Sequence, residues 1–312
     1  MNSGGTAERI LVIKLGALGD IVLALGPFAA IRRDHPDAHI TLLTTPAFAG
    51  FLGASPYFDE IEAEERVPLW NPCAWLALRR WLREGAFDRV YDLQTSDRSG
   101  WYFRLMGPGR RPEWSGIAPG CSHPHANPQR DFMHSIDRQN EQLAMAGIKN
   151  IPDADLSWMA ADTARFGLAE RTALLIPGGA PHRPAKRWPV DCYAELATRL
   201  VARGVEPVIL GTAAEAGIAR EISSACPAAR DLTGQTTIED LAVLARNASG
   251  AIGNDTGPMH LIAAAGCPSV VLFSGASDPA LTAPRGAEVR VLRATDLVTL
   301  SVESVEGALS LR

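Results

Sequence analysis

Short apolar runs and amphipathic stretches alternate along the chain in two successive series. Each buried run predicts a strand of about five residues, and the stretch after it has the spacing of a helix. The first series predicts strands at 9–15, 39–44, 58–61 and 88–93, with helices ending at 33, 83 and 146. The second predicts strands at 172–176, 205–210, 231–234, 251–252, 270–273 and 289–292, with a terminal helix over 302–311.

The alternation of strands and helices is typical of parallel sheets with helices on both faces. It restarts after a polar stretch at 147–158, and 312 residues are enough for two cores. We therefore expect two domains, 1–158 and 159–312, with the terminal helix (301–312) able to pack back on the first. The predicted fold class is α/β, with two doubly wound, Rossmann-like domains facing each other across a cleft.

The stretch 250–274 predicts a strand, a tight turn, a helix and a second strand in close succession. Residues 254–257 have turn composition, and a proline follows at an early helical position. Free N–H groups at a helix N-terminus carry about half a positive charge. Asp255, Thr256 and His260 add polar side chains there, which predicts a phosphate site. An ordinary turn in which Asp255 and Thr256 only cap the helix is the alternative.

The first strand leads through a glycine-rich turn into a helix that begins near Asp20. Ligands of open α/β sheets lie outside the carboxyl ends of the strands, so Asp20 is a candidate catalytic group. Its alternative role is to stabilise the helix N-terminus. Lys14 stands where a dinucleotide-binding fingerprint needs its first glycine, and the chain contains no G-x-x-x-x-G-K-[ST] motif.

A long loop, 177–189, follows the first strand of the second series. It combines glycines with Arg183, Lys186 and Arg187 and leads into a helix. This combination predicts a second phosphate contact, and a solvated basic loop is the alternative.

Composition narrows the class of protein. A net charge of −5 argues against a nucleic-acid partner, and five scattered cysteines without C-x-x-C indicate a reduced compartment. The sequence shows neither a signal-peptide pattern nor an apolar run of the ~20 residues that span a bilayer. We expect a cytoplasmic protein, at the inner face of the cytoplasmic membrane and in at most peripheral contact with it.

Two motifs resemble metal sites. The loop 107–130, rich in proline and histidine, contains Cys121, His123 and His125, but such a loop fixes no tetrahedral geometry, and we favour a role in lining a polar groove. Asp153 and Asp155 form a D-x-D in the linker rather than at a strand end, so we expect no metal there.

Four segments together resemble the heptosyltransferases of glycosyltransferase family 9. They are RILVIKLGALGDIVLALG, PGGAPHRPAKRWP, DLTG and GNDTGPMHLIAAAGCPSVVLF, and the resemblance covers about residues 9–50 and 172–285. It implies a GT-B architecture and an inverting, metal-independent transfer of heptose from ADP-heptose to a lipopolysaccharide inner-core or related glycan acceptor. No cofactor is implied. The N-terminal domain would bind the acceptor and supply the base, and the C-terminal domain would bind the donor.

The resemblance also implies roles for individual residues. Asp20 would be the catalytic base, and Lys186 would contact the donor diphosphate. The phosphates and sugar of the donor would contact Asp255, Thr256, Gly257 and His260. The ribose would lie near Glu215, and the adenine near Thr233 and Gly234.

The chemistry agrees with these roles. Inverting transfer passes through an oxocarbenium-like state as a charged diphosphate leaves, and a lysine with a helix N-terminus can meet that charge without a metal. Three other functions stay open. They are a nicotinamide-dependent oxidoreductase or epimerase, a relative that binds a sugar nucleotide without transferring the sugar, and a transferase for another nucleotide sugar.

Overall fold

The computed structural model describes residues 7–68, 70–109, 111–180 and 182–312. The chain divides into two units, the first ending at Ala154 and the second beginning at Asp155. The division falls inside the polar stretch 147–158, which has no helix or strand.

In the described part of the first unit, six parallel strands form one sheet in the order 3-2-1-4-5-6. The strands are β1 (Arg9–Ile13), β2 (His39–Thr44), β3 (Glu60–Ala63), β4 (Arg89–Asp92), β5 (Glu113–Gly116) and β6 (His123–Pro124). The helices are α1 (Leu18–Val22), α2 (Leu25–Asp34), α3 (Pro46–Gly53), α4 (Pro72–Glu84), α5 (Asp97–Leu105) and α6 (Ser135–Met145).

The second unit repeats this topology over its described residues, with six parallel strands in the order 12-11-10-7-8-9. The strands are β7 (Thr172–Ile176), β8 (Glu206–Ile209), β9 (Arg230–Asp231), β10 (Gly250–Asn254), β11 (Ser269–Phe273) and β12 (Val289–Arg293). The helices are α7 (Val190–Ala202), α8 (Ala216–Ala225), α9 (Ile238–Asn247), α10 (Gly257–Ala264), α11 (Pro279–Thr282) and α12 (Val302–Ala308).

The α/β class and the two doubly wound parallel sheets are therefore confirmed. The central strands are buried along almost their whole length, because helices cover both of their faces. In each sheet the strand order changes direction between two central strands, β1 and β4 in one and β7 and β10 in the other. Crevices at such switch points are where open α/β sheets bind ligands. That the two domains face each other across a cleft stays a prediction.

The terminal helix packs on its own unit. Val302, Val305 and Leu309 are buried in a core cluster of the second unit, and Arg312 donates hydrogen bonds to the carbonyl of Ala248 and its neighbours. The apolar stripe of α12 is therefore buried in the second unit. That 301–312 can pack back on the first domain stays a prediction.

Three sequence expectations need correction. The stretch 107–130 contains β5 and β6 rather than only loop, and α5 was not predicted. The first helix is interrupted at residues 23–24, so α1 and α2 are separate. The sequence TTIE predicts a capping box between Thr236 and Glu239, but the capping box of α9 joins Thr237 to Asp240, one residue later. Among the helices of the described residues, none has the length and apolarity to cross a bilayer.

Candidate active site

In the second unit, the loop after β7 meets the N-terminus of α10 at the edge where β7 and β10 end. The Lys186 ammonium donates to the Asp255 carboxylate with an Nζ–Oδ2 distance of 2.6 Å. Only 12% of the lysine side chain and 8% of the aspartate side chain are exposed. The structure thus brings together Lys186 and Asp255, two residues that sequence reasoning assigned to phosphate binding from segments 69 positions apart.

Asn254, the last residue of β10, fixes this loop in place. Its side chain is fully buried, and its Nδ2 donates to the carbonyls of Pro177 and Gly178 at 2.8 and 3.0 Å. Its Oδ1 accepts from the backbone N–H of Trp188 and the hydroxyl of Tyr193 at 3.0 and 3.2 Å. Sequence reasoning treated Asn254 only as a turn residue. The indication of its role in the sequence was a polar side chain at the end of a buried, otherwise apolar strand.

The first turn of α10 is not the ordinary capped turn considered as an alternative. Asp255 pairs with Lys186, and the Thr256 hydroxyl donates to the Asn254 carbonyl at 3.3 Å, so the side chain of Thr256 makes no cap bond. Gly257 begins the helix, and His260 lies buried in its first turn. The positive end of the helix dipole therefore lies beside an ammonium group.

Glu215 lies next to this region. Its carboxylate accepts hydrogen bonds from the backbone N–H and the hydroxyl of Thr212, at 2.8 and 2.6 Å. A Cβ on Gly178 would lie 2.7 Å from Glu215 Cγ, so only glycine allows this approach. Since Asn254 binds the Gly178 carbonyl, Glu215 and the Lys186 loop share one scaffold.

Thr233 and Gly234 lie at the end of β9, one strand further out than Glu215. The Thr233 N–H donates to Asp231 Oδ1, and Gly234, at φ +73°, donates to the Gly211 carbonyl at 2.8 Å. The positive φ favours glycine at this position. The partners of Thr233 and Gly234 thus belong to β9 and to the loop after β8, and within the described ranges neither residue is hydrogen-bonded to the Lys186–Asp255 pair.

In the first unit, Asp20 lies in the first turn of α1, where its Oδ2 accepts from the Ala17 N–H at 3.1 Å. It lines a polar cavity of about 210 Å³ at the carboxyl ends of β1 and β4. Three other groups in the wall of this cavity are Lys14, Arg138 and Gln142. Asp20 therefore has an exposed carboxylate, bound to one backbone N–H, at the mouth of a cavity that has room for polar groups of a ligand.

Two buried ionisable groups at this end of the sheet were not assigned to the site by sequence reasoning: Lys14, in the wall of the cavity, and Asp92, the last residue of β4. The Lys14 ammonium donates to the Leu93 carbonyl at 2.9 Å; burial lowers the pKa of Lys14, while the charges of Asp20 and Asp92 raise it. Burial raises the pKa of the Asp92 carboxyl to about 6, against the lowering effect of a hydrogen bond from Thr95 and of the Lys14 charge. The low dielectric of the interior disfavours both charged forms.

The loop 107–130 shows separate partners for the residues of its C-x-H-x-H motif. Cys121 lies 3.8 Å from the Gly116 carbonyl, and His123 contacts Glu113 at 3.4 Å. His125 instead accepts a hydrogen bond from Arg130, and burial lowers its pKa. Across the described ranges, three or more histidine, cysteine, aspartate or glutamate residues nowhere group in a way that could hold a metal ion.

Comparison with known proteins identifies the family. Residues 75–305 match the model of glycosyltransferase family 9 (heptosyltransferase). Lipooligosaccharide heptosyltransferase 2 of Haemophilus influenzae is 32% identical, covering 91% of this chain and 88% of its own; lipopolysaccharide heptosyltransferase 2 of Salmonella typhimurium is 28% identical with the same coverage. The solved ADP-heptose LPS heptosyltransferase II of E. coli shares the fold, with a TM-score of 0.79 at 23% identity over 96% of this chain and 97% of its own. The chain belongs to glycosyltransferase family 9, the heptosyltransferases.

Proposed function

We propose that this protein transfers a heptose from ADP-heptose to an inner-core acceptor of lipopolysaccharide or a related glycan. Membership of family 9 supports the transferase class. Relatives named for lipopolysaccharide and lipooligosaccharide transfer, and the solved E. coli enzyme named for ADP-heptose, support the choice of donor and acceptor.

The observation that carries this proposal is the Lys186–Asp255 pair at the N-terminus of α10. The leaving diphosphate accumulates negative charge as the glycosidic bond breaks. An ammonium group and the free N–H groups of a helix, held in place before the reaction, stabilise that charge without a metal ion. Thr256, Gly257 and His260 complete the proposed phosphate and sugar contacts.

The remainder of the donor has a proposed place in the same unit. Glu215 lies against the loop that holds Lys186, which supports its assignment to the ribose. Thr233 and Gly234 lie one strand further out, which supports their assignment to the adenine.

Asp20 is the proposed base in an inverting transfer. It takes the proton of the acceptor hydroxyl while that oxygen bonds to the anomeric carbon on the face opposite the departing diphosphate. Its position in the wall of a polar cavity supports this role, because sugar hydroxyls need such surroundings. The first unit would then bind the acceptor, and a glycolipid acceptor would place the enzyme in the cytoplasm, at the inner face of the cytoplasmic membrane.

The test is a transfer assay with ADP-heptose and lipopolysaccharide precursors, followed by mass spectrometry and determination of the anomeric configuration by NMR. Wild-type protein should form the heptosylated product with inversion. Asp20→Asn should retain ADP binding but lose turnover by roughly 10²–10⁴-fold, the usual contribution of a general base.

Asp97→Asn is the matched control, because Asp97 is an exposed carboxylate in the first turn of α5 of the same unit. It should turn over like wild type. Unchanged turnover in Asp20→Asn would remove Asp20 from the mechanism. ADP binding without any product would instead identify a protein that only binds the nucleotide, and product from a different sugar nucleotide would replace the donor.

A further inference from the structure

The outward sides of α4 and α5, together with Trp70 just before α4, form a surface rich in tryptophan and arginine. We call it the tryptophan–arginine face; its members are Trp70, Leu76, Arg80, Arg83, Trp101 and Arg104. Trp70 is 84% exposed, Leu76 63% and Trp101 50%. Tryptophans with this exposure are unusual in a folded domain, because each leaves a large apolar area in water.

The two helices present these residues on the same side. Leu78 and Leu82 of α4, and Tyr102 and Phe103 of α5, are buried in one core cluster on one face of the sheet. The helices also contact each other where Trp75 packs at 6.3 Å from the Tyr102 ring. Because both helices bury their inner stripes against the same sheet face, their outer stripes point away from it together.

The exposed arginines of this face are available to a partner. Within the described residues, the Arg80 and Arg83 side chains make neither an ion pair nor a hydrogen bond. The Arg104 guanidinium lies over the Trp101 ring, 4.7 Å from its centroid, so that cation and apolar ring form one exposed unit. This combination suits an anionic surface with hydrocarbon behind it.

The local charge differs in sign from that of the whole chain. Residues 70–111 contain eight arginines and four carboxylates, whereas the protein carries a net charge of −5. The same segment contains four of the seven tryptophans. Basic residues and tryptophan concentrate at membrane interfaces, where arginine meets lipid phosphate and the indole ring lies at headgroup level.

A cavity of about 270 Å³ lies at the C-terminal ends of the two helices. It is lined by Leu82, Arg83, Ala86, Phe87, Met106 and Pro112. The lining combines apolar side chains with one guanidinium, so the cavity places a cation next to apolar surface beside the face.

We propose that the tryptophan–arginine face binds the surface of an anionic lipid bilayer and holds the enzyme on it. The inference rests on the proposed glycolipid acceptor, which such a surface would contain. Charge complementarity favours a bilayer over a second copy of this acidic chain, since two copies of the face would oppose arginine to arginine.

The experiment is flotation of the full-length protein with vesicles. Wild type should bind vesicles of phosphatidylglycerol and phosphatidylethanolamine, bind phosphatidylcholine vesicles far less, and dissociate at high salt. Trp70→Ser with Leu76→Ser, and Arg80→Glu with Arg83→Glu, should each weaken binding at least about tenfold. Both double variants should retain ADP binding by calorimetry and turnover with a detergent-dispersed acceptor, which shows that they are folded.

Val298→Ser and Arg220→Glu are the controls, because they change an exposed valine and an exposed arginine in the second unit. Both should bind vesicles like wild type. Failure of wild type to bind anionic vesicles, or equal losses in the controls, would overturn the proposal. So would a dimer in light scattering that the Trp70 and Leu76 changes dissociate. If wild type neither bound ADP nor transferred heptose, that result would instead count against the proposed function.

Discussion

The two units place different chemistry at the same point of the same topology. In each sheet the strand order reverses between two central strands, and the last residue of the second of them is polar and fully buried. In the first unit that residue is Asp92, a carboxyl group beside the buried Lys14. In the second it is Asn254, a neutral amide whose oxygen and nitrogen both have hydrogen-bond partners.

The difference shows where each unit keeps its charges. In the second unit a neutral amide holds the loop, and the charged pair Lys186–Asp255 lies above it, where a ligand would bind. In the first unit the charges extend into the interior, so the surroundings of Asp20 depend on groups with shifted pKa values. At the switch point of the second unit, a neutral hydrogen-bonded amide supports the site. At that of the first unit, the buried charge of Lys14 interacts with those of Asp92 and Asp20.

The largest expected effect is the loss of the amide support. Asn254→Ala would leave the Pro177 and Gly178 carbonyls and the Trp188 N–H without their partner in the interior, while the Tyr193 hydroxyl keeps its hydrogen bond to the Ile176 carbonyl. We expect the free energy of unfolding to fall by about 3–4 kcal/mol, measured by urea denaturation, because buried polar groups left unsatisfied cost about 1–3 kcal/mol each.

Asn247→Ala is the control for this change, since Asn247 is an exposed residue at the end of α9. It should alter the free energy of unfolding by less than about 0.5 kcal/mol. If Asn254→Ala were as mild as Asn247→Ala, the amide would not be the support of the loop.

The sheets were largely predictable from the sequence, because parallel strands that are buried on both faces consist of continuous runs of apolar residues. His39–Thr44 and Thr172–Ile176 have the predicted bounds. The strands β5 and β6 were not found, because EWSG and HP are short, lie at one side of the sheet and lack an apolar run. Helix α5 did have an indication in its sequence, a serine cap followed by buried residues at helical spacing.

The second largest effect is a pH dependence of stability in the first unit. The pKa of Asp92 is about 6 in the folded protein, against about 3.9 for an unfolded aspartate. Below pH 4 both states are protonated and the folded state carries no penalty. Between pH 4 and pH 6 the unfolded state ionises while the folded state stays protonated, so stability falls by about 2–3 kcal/mol and then levels off above pH 6.

Asp92→Asn removes this titration. Chemical denaturation between pH 4.5 and 7.5 should show the wild-type free energy of unfolding declining relative to that of the variant, most steeply near pH 5–6. Asp97→Asn should follow the wild-type curve, because Asp97 is exposed. Parallel curves for wild type and Asp92→Asn would mean that Asp92 is not a strained buried carboxyl group.

The site was predictable only in part. Resemblance to a family indicated Lys186 and Asp255, and the structure pairs them. The buried groups at each site were not predicted, because Lys14 and Asn254 acquire their importance from hydrogen-bond partners 61 to 79 positions away, and Asp92 from its burial and the charge of Lys14. A single sequence records such residues as polar exceptions at strand ends without saying what they contact.

The smallest of these effects tests the charged pair itself. Lys186→Ala should weaken ADP binding by roughly tenfold to a hundredfold, the value of a charge-assisted hydrogen bond, because Asp255 would then repel the diphosphate without compensation. Isothermal titration calorimetry measures the affinity. Arg183→Ala is the matched control, as Arg183 is an exposed cation in the same loop and should change affinity less than about threefold. Equal losses in the two variants would reduce the role of Lys186 to general loop charge. An unchanged affinity in Lys186→Ala would mean that the helix N-terminus alone holds the phosphates.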